Sequence, residues 1–152
     1  MHPGVLVSVL AGCLLLAQTT HSQPRAAVER YRAGYELLTT GKFSDAAIEF
    51  EQAIRLDSTY VNAHFLLGQA YKKYSAYRKA IAAFEAAERF GFPRERLVKW
   101  LLPSHFEYAR DSYRQLKYRQ AILSFESVLE LDPGNAEAQY NLGLCYDKLS
   151  NS

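Results

Sequence analysis

The chain has 152 residues and a net charge of +2; 49% of its residues are hydrophobic, and it has only eight glycines and five prolines. A chain of this size makes about one domain that hides roughly two thirds of its extended surface, and its apolar content excludes intrinsic disorder. Twelve basic residues against five acidic ones between Lys72 and Arg119 leave the middle mildly basic, which reads as a solvated helical face rather than a site built for an anionic partner.

Residues 1–22 differ from everything after them. The apolar run of thirteen from Val5 to Ala17, VLVSVLAGCLLLA, is followed by polar QTTHSQ. A bilayer span needs about 20 apolar residues, so the run suits a cleavable export signal, although His2 is the only potential cation ahead of it. Cleavage is expected between Ala17 and Gln23, with a periplasmic or extracellular destination and no membrane span in the mature chain. Leu10 to Cys13, LAGC, resembles a bacterial lipoprotein signal, but LLLA follows where a polar tether belongs; a lipidated Cys13 is therefore the alternative. With the signal removed, Cys145 is the one cysteine left, so no disulfide framework exists within a mature chain, and its apolar neighbours point to a packed thiol.

The remainder is organised by an internal echo. Ala46, Phe50 and Ala53 return thirty-four residues later as Ala80, Phe84 and Ala87, then forty-one residues later as Ala121, Phe125 and Val128. A fixed period near thirty-four, once lengthened by seven, is the mark of a stacked repeat. The first half of each period is also helical in pattern: His64, Leu67, Gly68 and Tyr71 share one helix face. Two short amphipathic helices per period, joined by a turn at Gly41, Ser75 or Leu116, make an antiparallel hairpin. The surplus lies in FPRERLVKWL, where Leu97, Trp100 and Leu101 share a face and either an extended second helix or a short extra helix is expected. Pro133 closes the last complete second helix.

Together these positions resemble the tetratricopeptide repeat family, whose pattern pairs Leu-Gly-x2-Tyr in a first helix with Ala, Phe and Pro in a second. The repeat at about 61–94 keeps Leu67, Gly68, Tyr71, Tyr77, Ala80, Phe84 and Ala87, with His64 in the tryptophan place. The repeat at about 27–60 keeps Gly34, Gly41, Phe43, Ala46, Phe50 and Ala53. That at about 102–135 keeps Tyr118, Ala121, Phe125 and Pro133 with Ala109 at the glycine place, and a half repeat at 136–152 keeps Leu142, Gly143 and Tyr146. The expected fold is all-α, an α-α superhelix following residues 1–22, with an insertion at about 95–101. Small residues are expected where helix axes approach most closely, and the phenylalanines are expected to fill the wider gaps.

The resemblance implies a protein-protein interaction scaffold that holds a peptide or partner helix on a concave face lined by first helices. The expected wall is Tyr31, Tyr35 and Leu38, then Phe65, Gln69, Lys72 and Lys73, then Phe106, Arg110, Tyr113 and Arg114, and finally Tyr140, Leu144 and Asp147. Tyr31, Phe65, Phe106 and Tyr140 recur at one place, either as anchors for a partner or as packing between repeats. Tyr31 and Tyr35 hold the places where some family members carry a carboxylate-gripping lysine and asparagine, so that mode is not implied. Other roles to weigh are assembly of an envelope complex and a lipoprotein-type accessory subunit. Self-association through the apolar last helix is a further expectation.

Catalysis finds no footing in the motifs: there is no glycine-rich phosphate loop, zinc-binding helix, nucleophile elbow or paired-cysteine metal spacing. No cofactor and no metal are expected, and His64 and His105 read as packing residues in the tryptophan slot. Glu49, Glu51, Glu85 and Glu88 have the spacing of solvated helix faces. Nucleic-acid binding is not expected of an exported protein.

Overall fold

The course of the chain is set by where it accepts a left-handed residue. Gly41 (φ 79°), Ser75 (φ 65°), Gly91 (φ 106°) and Leu116 (φ 60°) each stand just past a helix C-terminus. At each, two backbone bonds close the end in the same way: at the first, Gly41 N–H donates to Leu38 and Lys42 N–H to Leu37, at 3.2 and 2.9 Å. This doubly bonded cap satisfies carbonyls that a helix end otherwise leaves open. The turns expected at Gly41, Ser75 and Leu116 are these left-handed caps.

The computed structural model describes residues 23–151, which form seven α-helices and no strand. They are α1 (Arg25–Thr39), α2 (Phe43–Leu56), α3 (Val61–Lys73), α4 (Tyr77–Arg89), α5 (Arg94–Arg114), α6 (Tyr118–Leu131) and α7 (Ala136–Ser150). The expected export signal and the Cys13 alternative lie outside the described residues. Among the described residues, no helix is long and apolar enough to cross a membrane.

Helices α1 and α2, α3 and α4, and α5 and α6 pair as hairpins, and each hairpin packs on the next. The aspartates that follow α2 and α6 shape the links between hairpins. Asp57 Oδ1 accepts from the Thr59 N–H and hydroxyl at 3.0 and 2.8 Å, and Asp132 Oδ2 accepts from the Asn135 amide at 3.2 Å. Asn135 then caps α7 by accepting from the Ala138 N–H at 3.0 Å.

Within the hairpins, glycine and phenylalanine meet. A Cβ built on Gly34 would lie 2.8 Å from the Phe50 ring, and one on Gly68 would lie 2.5 Å from Phe84. Phe50, Phe84 and Phe125 are fully buried. The phenylalanines therefore do not fill gaps apart from the close contacts, as the sequence suggested; each ring is the body against which a first helix closes. Ala46, Ala53, Ala80, Ala87 and Ala121 are sealed beside them.

The seven surplus residues lengthen neither α4 nor a separate helix. They run continuously into α5, which reaches 21 residues. Leu97, Leu101 and the half-buried Trp100 belong to the core of the first two hairpins, whereas Ala109, with Phe106 and Tyr113 beside it, belongs to the core around Phe125, Val128, Ala138 and Cys145. One helix thus serves both cores in succession. The third hairpin is displaced along it by seven residues, about 10 Å at the α-helical rise. Pro103 lies inside this helix at the junction, beside Ser104, whose hydroxyl donates to the Trp100 carbonyl at 2.7 Å.

Candidate partner-binding surface

The first-helix residues expected to receive a partner are divided by the structure into packed and exposed groups. Tyr31 stacks on Tyr60 at 4.9 Å and leans on Phe50 at 5.9 Å. Phe65 stacks on Phe92 at 4.3 Å and meets Trp100 edge-on at 6.0 Å. Phe106 meets Phe125 edge-on at 5.6 Å, and Tyr113 meets Tyr118 at 5.5 Å. These rings join neighbouring helices, the packing role of the two considered. Tyr35 and Tyr140 are different: they are 51% and 68% exposed.

The cations divide as well. The half-buried Lys72 lies over the Trp100 ring, 5.5 Å from its centroid, with the exposed Lys99 at 5.7 Å, and a cation over an indole is attracted by the ring's quadrupole. Arg110 pairs with Glu107 and Arg114 with Asp111, each at 3.1 Å, so much of their charge is met on the same helix. Lys73 and Asp147 are exposed, Gln69, Leu38 and Leu144 half-buried. On α1, Tyr31, Arg32, Tyr35 and Glu36 surround an open recess of about 250 Å³. The displacement along α5 sets Phe106, Arg110, Tyr113 and Arg114 about two helical turns away from the register that a thirty-four-residue repeat would give them.

A larger groove of about 500 Å³ lies between α2 and α4, floored by His64, Leu67 and Tyr71 and walled by Ile54, Ala82 and Ala86. His64 is buried there, with Nε2 2.9 Å from the Ser58 carbonyl and its ring stacked on Phe90 at 5.2 Å. His105 takes the equivalent place in a smaller, polar recess with Glu85, Glu88, Arg94 and Glu130. Burial holds its imidazole below the ordinary value, against the opposing pull of Glu130. Among the described residues no group of three His, Cys, Asp or Glu side chains could hold a metal ion. Cys145 is fully buried, and burial raises its thiol pKa, which makes it a packing residue.

Of the four carboxylates expected on solvated faces, Glu85 is exposed, as expected, and the other three are engaged. Glu49 accepts from Arg30 at 3.1 Å, Glu88 from Arg94 at 2.9 Å, and Glu51 from the Tyr71 phenol. The twenty-residue spacing of Glu51 and Tyr71 recurs in Glu126 and Tyr146, a signal present in the sequence and not read there.

Two family models match the chain, one described as TPR repeat over residues 34–74 and one as tetratricopeptide repeat over residues 107–151. Among solved structures, MamA protein aligns with a TM-score of 0.51 at 20% identity, covering 82% of this chain and 64% of that one. The first TPR of Spaghetti (RPAP3), bound to an HSP90 peptide, aligns with a TM-score of 0.49 at 19% identity, covering 86% of this chain and 98% of that one. The Arabidopsis OM64 TPR domain gives 0.48 at 15%, covering 82% and 97%. At these identities the likeness is one of fold. No curated protein matches.

Proposed function

Because the chain belongs to the tetratricopeptide repeat family, we propose that it is an exported scaffold, without catalytic activity of its own, that holds a peptide or partner helix along the wall of its first helices. The reading is carried by the α1 recess, where Tyr35 is half-exposed beside Tyr31, Arg32 and Glu36. An aromatic ring with an apolar body and a polar tip, next to an arginine, is the composition that anchors interfaces. Lys73 and the Lys72–Trp100 pair extend this surface onto α3 and α5 with positive charge, which suits a partner segment that is apolar with acidic flanks. Export is supported by the apolar run from Val5 to Ala17.

The test is affinity capture from the envelope fraction with the natural protein and with Tyr35→Ala plus Lys73→Ala. Both side chains are exposed, so the fold should survive, and a partner retained by the natural protein should be lost. Equal capture by both would exclude this wall. Sequencing the mature N-terminus tests export separately: a chain beginning between residues 18 and 23 supports it, and one beginning at Met1 excludes it.

A further inference from the structure

The repeat builds one kind of groove twice, and the chain supplies a partner for its charges only at the second. Thirty-four residues carry Glu51 and Ile54 to Glu85 and Glu88, and forty-one carry His64 and Ala86 to His105 and Ser127. The first set borders the α2–α4 groove and the second borders the recess of about 110 Å³ that His105 shares with Arg94. In that recess Arg94, from the first turn of α5, donates to Glu88 at 2.9 Å. Cation and carboxylate are thus matched within one chain.

The α2–α4 groove is larger, about 500 Å³, and is not matched in this way. Ile54 stands where the second has a carboxylate, Ala82 and Ala86 keep the α4 wall free of large side chains, and Glu51 is taken by the Tyr71 phenol. Two exposed cations border it, Arg55 in the last turn of α2 and Lys79 in the first turn of α4. Lys79 lies 5.3 Å from the Tyr71 ring centroid, and among the described residues neither cation pairs with a carboxylate. As second helices of successive hairpins, α2 and α4 run in the same direction, so the cations stand toward opposite ends of an apolar floor. Walls and floor all come from the first two hairpins, both complete, and the groove's shape does not depend on the last helix.

We propose that this groove docks an amphipathic helix of a partner protein, with leucine-sized side chains at i+3 and i+4 over Leu67 and Tyr71 and carboxylates at i and i+7 meeting the two cations. Seven helical residues span about 10 Å, which is the length of the α4 wall from Lys79 to Ala86. An apolar face laid in a groove, with opposite charges at its rim, combines helix docking with electrostatic complementarity. Residues 1–22 contain no aspartate or glutamate, so they cannot provide the charges. The groove shares no residue with the α1 recess, and either surface can fail without the other.

The test titrates a fluorescent alanine-based helical peptide, with glutamates at i and i+7 and leucines at i+3 and i+4, into the full-length protein. Saturable binding is expected, weakened at least about tenfold by Ala82→Glu and by Arg55→Glu combined with Lys79→Glu. All three side chains are exposed, so the fold should survive, which circular dichroism verifies. A peptide with lysines in place of both glutamates should bind the charge-reversed protein and not the natural one. Arg119→Glu, exposed on α6 outside the groove, should change nothing. Absence of saturable binding, or binding indifferent to Ala82→Glu or to the charge reversal, overturns the proposal. So does a concentration-dependent dimer that Ala82→Glu dissolves, since the occupant would then be a second copy, and so does displacement of the peptide by a fatty acid, since it would then be a small amphiphile.

Discussion

The Tyr146 phenol donates to the Glu126 carboxylate at 3.0 Å, and the Tyr71 phenol donates to Glu51 at the same twenty-residue separation. Each bond joins the second helix of one hairpin to the first helix of the next. At the α4–α5 boundary Glu85 stands in the carboxylate place and Ser112 in the tyrosine place, and that is the boundary carrying the seven-residue displacement. Burial, then the bond to Glu51, raises the Tyr71 pKa well above its ordinary value. A raised acid pKa means the folded chain keeps a proton that the unfolded chain gives up above about pH 10, so stability is full below that pH and falls above it. Tyr71→Phe should cost about 1 kcal/mol near neutral pH and make the decline between about pH 9 and 11 shallower. Urea midpoints across that range decide it; Tyr31, Tyr60 and Tyr74, also raised by burial, should preserve the remaining slope.

Gly68 and Gly143 occupy equivalent places with opposite surroundings. A methyl on Gly68 would press into Phe84 at 2.5 Å, and that ring is confined by Phe65 and Trp100. Gly68→Ala should therefore destabilise the protein by about 1–3 kcal/mol. Gly143→Ala meets open space and should stabilise α7 by up to about 1 kcal/mol through helix propensity. Opposite shifts in the thermal midpoints are expected, and equal shifts would contradict the packing.

The hairpins were legible because their determinants are local and recurrent. An alanine–phenylalanine pattern repeated every thirty-four residues carries both the helix face and the stacking rule. What Trp100 does was less accessible. Its helix phase was evident, but whether the surplus extended α4 or α5 depended on whether Leu97 and Leu101 found a core, a question of tertiary packing. The candidate surface suffered in the same way. Tyr31, Phe65, Phe106 and Tyr140 share one place in the repeat, yet burial separates them, because Tyr140 is not met by a second-helix phenylalanine as the other three are. Glu51 and Tyr71 show the converse, since a bond across two hairpins leaves no mark in either helix's own periodicity.

Leu116 holds φ 60° and is 71% exposed, so its side chain contributes little while its Cβ crowds the backbone. Left-handed geometry costs an ordinary residue about 1–2 kcal/mol, part of which glycine returns through its freedom in the unfolded chain. Leu116→Gly should raise stability by about 0.5–1 kcal/mol, and Ser75→Gly, at φ 65°, by a similar amount. Gly41→Leu, at φ 79°, should lower it by about 1 kcal/mol. Chemical denaturation of the three variants measures these shifts.

Pro103 interrupts α5 between its two cores. It has no N–H to meet the Lys99 carbonyl one turn back, and interior proline costs a helix about 3 kcal/mol. The chain continues as one helix nonetheless, because Leu97 and Leu101 are buried on one side of it and Ala109 on the other. Pro103→Ala should therefore leave the fold intact and add about 1–2 kcal/mol, the helix gain less the unfolded-state entropy that proline had removed. Hydrogen exchange locates the effect: amides from residues 97 to 108 should become more protected relative to those of α2, which lies outside the junction. Equal gains in both places, or a loss of stability, would mean that α5 depends on the interruption for its alignment with both cores.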